Sequence, residues 1–140
     1  LIGGMDIDYD FDQKVKENNL ENLVWQVGPI YDEMIISQYI YDADICVSPG
    51  NVGLTALHSL AYGTPVITHN NFTKQGPEFE TILDWINGFF FKENDVNDLA
   101  NKIKKLISKE NRKDEVSRVI DEKWNPNYQI KIFKSQLSTN

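Results

Sequence analysis

Ser48-Pro49-Gly50-Asn51-Val52-Gly53-Leu54-Thr55-Ala56-Leu57-His58 is the stretch that decides the fold. Before it, Ile45-Cys46-Val47 is a short apolar run that reads as a buried strand. After it, Gly53 to Ala61 is an apolar helix stopped at Tyr62-Gly63, and Pro65-Val66-Ile67-Thr68 is the next strand. Strand, glycine turn, helix and strand in that order make a βαβ unit with parallel strands. Gly50 and Gly53 let the backbone come close to a ligand. The N–H groups and dipole of the helix that follows favour an anion such as a diphosphate.

The same alternation runs outward. Leu1-Ile2-Gly3 reads as a strand, Phe11 to Leu20 as a helix capped by Asp10 or Asp8, and Leu23 to Val27 as a strand closed by Gly28-Pro29. Asp32 to Tyr41 predicts a helix that buries Met34, Ile35, Tyr39 and Ile40. Pro77 to Trp85 predicts a helix with Pro at its first position. Asn87-Gly88 leads into the strand Phe89-Phe90-Phe91. Asp95 to Ser108 is amphipathic, with Val96, Leu99, Ile103 and Leu106 on one stripe, and one or two further helices cover Asn111 to Leu137. Strands without polar alternation imply helices on both faces, hence a doubly wound parallel α/β sheet. Ligands bind such sheets at the carboxyl ends of the strands. Here those ends are Gly3-Gly4, Gly28-Pro29, Ser48-Pro49-Gly50 and His69-Asn70-Asn71.

Composition narrows the class. The chain has 140 residues, 41% hydrophobic and 25% charged, as in an ordinary globular domain, so residues 1–140 are read as one domain. A net charge of −7 argues against nucleic acid as a partner. Cys46 is the sole cysteine, which excludes an internal disulfide and fits a reducing, cytoplasmic setting. The chain begins at Leu1, inside an apparent strand, and is expected to be a fragment of something longer. The ten Lys and Arg residues from Lys102 to Lys134 read as solvated helix faces. The competing reading is a basic surface toward the inner face of a membrane or a partner domain.

Ala43 to Thr68, ADICVSPGNVGLTALHSLAYGTPVIT, resembles the nucleotide-sugar-binding half of retaining GT-B glycosyltransferases, family 4 in particular. Leu23 to Gly28 is similar to that family's V-x-F-x-G strand, and Gly76-Pro77-Glu78 to its G-G-x-P-E segment. Asn87-Gly88-Phe89-Phe90-Phe91 followed by Asp95 resembles its N-G-x-L-F and the helix after it. The resemblance implies a Rossmann-like donor domain whose partner domain precedes it. It also implies transfer of a sugar from a nucleotide-diphosphate sugar without metal or cofactor. The setting that goes with the resemblance is bacterial polysaccharide or lipopolysaccharide assembly.

The departures fall at the site. The family's two glutamates, one toward the donor sugar and one toward the ribose, correspond here to Gly50 and His58. His58 can still meet a ribose hydroxyl through a ring nitrogen, and it can equally be an ordinary helix-face residue. The family's phosphate-balancing Arg and Lys lie upstream of this sequence, which leaves Lys74 as the nearest cation. The candidate substrate-binding residues are therefore Gly50, Asn51, Val52, Gly53, Leu54, Thr55, His58 and Lys74, and no residue is identified as catalytic. His69-Asn70-Asn71 reads as facing the cleft or as turn chemistry. The Asp6 to Asp12 carboxylates read as an acidic loop with a helix cap rather than a metal site. Two alternatives stand: another GT-B enzyme such as a nucleotide-sugar epimerase, or a non-catalytic nucleotide-binding or interaction domain.

Overall fold

The structure, a computed structural model, describes Ile2 and residues 10–109 and 113–137. It comprises two compact units, Leu1–Gln38 and Tyr39–Asn140.

In the first unit, α1 spans Phe11–Glu17, and the Asp10 side chain caps it by accepting the Gln13 N–H. Asp8, the other candidate cap, lies outside the described residues, as does Asp6. The helix stops short of Leu20 because the Asn18 side chain donates to the Lys14 carbonyl and Asn19 turns left-handed at φ 54°. Leu23 to Val27 is not a strand. The Leu20 carbonyl accepts from both Leu23 and Val24, which folds the start of the run into a turn. One parallel bridge, Ile2 to Gly28, is the pairing described here. α2, Glu33–Asp42, starts where the Asp32 carboxylate accepts the Met34 N–H, and it runs past the division between the units. Of its expected buried face only Ile40 is half-buried: Met34 is 82% exposed, and Ile35 and Tyr39 are exposed too.

The second unit is a parallel sheet of β1 (Cys46–Ser48), β2 (Val66–His69) and β3 (Gly88–Phe91), in that order. Cys46 is opposite Val66, and Val66 is opposite Gly88. α3, Leu54–Ala61, connects β1 to β2, and α4, Val96–Ser108, follows β3 with Asp95 as its cap. α5 (Lys113–Lys123) and α6 (Pro126–Leu137) complete the order.

Alternate strand residues feed two cores. Val66 joins Val52, Ala56, Leu60, Ile82 and Val116, with Cys46 and Phe90 against them, on the α3 and α5 face. Ile67, Phe89, Phe91 and Leu106 form the other core, with Ile45, Leu99 and Ile103 against them, on the α4 face. Helices thus cover both faces, as the uninterrupted apolar strands require. Each large side chain fully buried here contributes about 1.5–3 kcal/mol. Val96 is the exception in the α4 stripe at 78% exposure: it is the first helical residue, a turn before the buried part of the stripe.

One correction belongs to the β2–β3 connection. It holds two 3₁₀ turns, Phe72–Lys74 and Pro77–Thr81, instead of an α-helix to Trp85. The buried Asn87 side chain donates to the Thr81 carbonyl and accepts the Leu83 N–H, two groups a continuing helix would need. Trp85, at φ 68°, then reverses the chain. Gly88 is required where β3 meets β2: a Cβ there would lie 2.1 Å from the Val66 carbonyl oxygen.

Candidate functional site at the carboxyl edge of the sheet

The β1–α3 turn is built around Gly53, at φ 46° and ψ −145°, a conformation reserved largely for glycine. No side chain caps α3. Gly50 ends the strand side of the turn, and its carbonyl accepts from the Thr68 hydroxyl at 3.1 Å. The Asn51 Oδ1 accepts two N–H groups, from Gly53 at 3.0 Å and from Gly76 at 3.2 Å. Val52 points into the core, and its N–H donates to Gln75 Oε1 at 2.9 Å. Leu54 and Thr55 occupy the exposed first turn of α3. Thr55 closes that turn by donating its N–H to the Val52 carbonyl. His58 is half-buried one turn further on, its ring tilted against Tyr62 at 5.4 Å.

Lys74 sits at the end of the first 3₁₀ turn, its Nζ 2.8 Å from Glu93 Oε1. Asn71 Nδ2 donates to the other Glu93 oxygen at 2.7 Å. Those contacts, Asn71 first and Lys74 second, hold the Glu93 carboxyl below the usual carboxylate range. His69 turns inward rather than toward a cleft. It is buried against the edge of Phe91, and its Nδ1 accepts the Asn71 N–H. Asn70 Oδ1 accepts the Glu93 N–H. The His69-Asn70-Asn71 segment is therefore turn chemistry. The Cys46 side chain, from β1, packs against the α3 and α5 core, where burial pushes its thiol pKa up, partly offset by a hydrogen bond with Ser59.

The structure gathers Gly50, Asn51, Val52 and Gly53 into one turn with Leu54 and Thr55 at its exit. Gln75 is the residue that sequence reasoning missed. It fastens the turn to the end of β2, and its pairing with Val52 spans 23 positions, so no local pattern announces it. A separate cavity of about 200 Å³ lies at the opposite, amino ends of β1 and β2, lined by Asp44, Pro65, Lys109 and Lys113. Its lysines are engaged: Lys109 donates to the Trp85 and Ile86 carbonyls and Lys113 to that of Tyr41.

A parallel α/β sheet covered on both faces, with an uncapped helix start after a glycine turn at its carboxyl edge, defines a Rossmann-like domain. The chain belongs to the glycosyl transferases group 1 family, whose pattern matches residues 1–123. No curated protein matches the chain. Among solved structures, Anabaena HepE in complex with UDP is similar at TM-score 0.74 and 20% identity, over 99% of this chain and 40% of that one. The C-terminal domain of the group 1 glycosyl transferase LpcC from Francisella tularensis is similar at TM-score 0.67 and 25% identity, over 82% of this chain and 60% of that one. Sucrose-phosphate synthase from Thermosynechococcus elongatus gives TM-score 0.67 and 23% identity, over 99% of this chain and 38% of that one. These neighbours share the GT-B Rossmann-like fold. The chain spans less than two thirds of each neighbour's length.

Proposed function

We propose that residues 1–140 are the donor-binding domain of a retaining, family 4 GT-B hexosyltransferase and bind a nucleotide-diphosphate sugar at the β1–α3 turn. The observation that carries this reading is family membership over residues 1–123 together with an uncapped α3 start at the ligand-binding edge of the sheet. The diphosphate lies against the first turn of α3, where the N–H groups and helix dipole balance the charge that grows on the leaving group. Gly50, Asn51, Gly53, Leu54 and Thr55 border it, with Val52 anchoring the turn from the core. Lys74 reaches the phosphate by exchanging Glu93 for it, a small cost because an exposed ion pair contributes about 0–1 kcal/mol. His58 meets the ribose. The domain acts with a second, acceptor-binding domain, and the 140-residue chain alone transfers no sugar. The setting is the cytoplasmic assembly of a polysaccharide or lipopolysaccharide. No helix among the described residues is long and apolar enough to cross a membrane.

The test is calorimetry with a panel of nucleoside diphosphates, UDP first because the Anabaena relative is in complex with it. One preferred nucleotide is expected. His58→Ala is then expected to weaken that nucleotide roughly twofold to tenfold, as for one lost hydrogen bond, and to leave its free base unaffected. Binding of none of the panel would favour the non-catalytic interaction reading, which the absence of both family glutamates, at Gly50 and His58, keeps in play.

A further inference from the structure

The Gln75 carboxamide makes four polar contacts, and all four reach the β1–α3 turn or the end of β2. Its Oε1 accepts the Val52 N–H at 2.9 Å. Its Nε2 donates to Thr68 Oγ1 at 2.9 Å, to the His69 carbonyl at 3.2 Å and to the Gly50 carbonyl at 3.4 Å. The Thr68 hydroxyl in turn donates to the Gly50 carbonyl at 3.1 Å. The orientation of the amide is fixed by this company, because a flipped amide would set its NH₂ against the Val52 N–H. The next residue repeats the grip, with the Gly76 N–H donating to Asn51 Oδ1 at 3.2 Å. Residues 75 and 76 therefore hold residues 52 and 51 across a gap of more than twenty positions.

We infer that Gln75 is the positioning residue of the donor site, its carboxamide fixing the β1–α3 turn in the conformation that presents the α3 N-terminus to the diphosphate. The inference rests on reading this turn as the donor site. The physical reason is preorganisation. A two-glycine turn is intrinsically loose, and a ligand that must order it binds more weakly. Gln75 has tied Gly50 and Val52, on the strand side of Gly53, before any ligand arrives. Gln75 itself needs no contact with the nucleotide.

The discriminating variant is Gln75→Met, which keeps the length of the side chain and removes all four polar contacts. Two readouts are taken on the full chain: amide hydrogen exchange, and UDP titration with whichever nucleoside diphosphate binds best added beside it. Gln75→Met is expected to speed exchange at Val52 about tenfold while Leu60 and Ile67, in the two cores, stay protected. The nucleotide Kd is expected to rise roughly twofold to tenfold. Unchanged exchange at Val52 overturns the inference. Faster exchange with an unchanged Kd overturns it as well, since the turn would then be held for folding alone. If the wild-type chain binds no nucleoside diphosphate, the donor-site reading falls, and the exchange data still decide whether Gln75 holds the turn. Should Gln75→Met not fold, Thr68→Val removes the hydroxyl from the same relay in a near-isosteric way and carries both readouts.

Discussion

Gly50 and Gly53 look alike in the sequence, three positions apart in one turn, and the structure separates them. A Cβ on either one meets open space, since Gly50 has no neighbour within 4 Å and Gly53 only Asn51 Oδ1 at 3.9 Å. Room is therefore not what glycine supplies here. Gly53 alone has φ in the left-handed range, at 46°, and with ψ −145° it lies where a side chain costs about 1–3 kcal/mol. Gly53→Ala is expected to lose about that much stability in urea denaturation, whereas Gly50→Ala changes it by less than about 0.5 kcal/mol. Equal losses would mean the two positions share some other constraint. The glycine signature was legible from sequence as a turn. Which glycine bears the strain was not, because φ is set by how β1 and α3 are packed. Gln75 was hidden for a related reason: its partner Val52 is 23 positions away in sequence.

At the scale of elements, the three strands of the sheet were legible, whereas the β2–β3 connection and the Leu23 to Val27 run were not. Cys46–Ser48, Val66–His69 and Gly88–Phe91 each fall within one residue of the strand expected from its apolar run. Their continuous apolarity also announced a sheet covered on both sides. The helical pattern from Pro77 to Trp85 misled because helix propensity is a weak prior and a tertiary contact overrides it. That contact is Asn87. Its side chain is fully buried, and it satisfies the Thr81 carbonyl at 3.0 Å and the Leu83 N–H at 2.7 Å. Asn87→Ala leaves both backbone groups without that partner and opens a small void. A loss of about 2–3 kcal/mol is expected, read as a lower urea midpoint at constant m-value. A cost under about 0.5 kcal/mol would show that the 3₁₀ geometry of Pro77–Thr81 is intrinsic to its own sequence. Leu23 to Val27 teaches the converse: an apolar run is not by itself a strand, and here the Leu20 carbonyl takes the N–H groups of Leu23 and Val24.

Across the whole molecule, stability is unevenly distributed. Every buried side chain among the described residues lies between Val52 and Val116, and none lies in Leu1–Gln38. The basic residues of the C-terminal half contribute to the stable part. Lys102 lies over the Phe89 ring and Lys105 over that of Trp85, both at 5.3 Å, and Lys109 binds two carbonyls. Segments with little buried apolar area open at low free-energy cost, and proteases cut what opens. Limited chymotrypsin digestion is therefore expected to cut first at Trp25 and Tyr31, which are 66% and 94% exposed. Phe133, on α6 where no residue is buried, is expected to follow. The surviving fragment should run from near Tyr39 to near Trp124 and retain both core clusters, which mass spectrometry reads directly. The candidate site from Gly50 to Gln75 lies wholly inside that fragment, so its nucleotide affinity is expected to match that of the intact chain. Loss of both units at one rate would show that Leu1–Gln38 draws its stability from the rest of the chain and that the two units unfold as one.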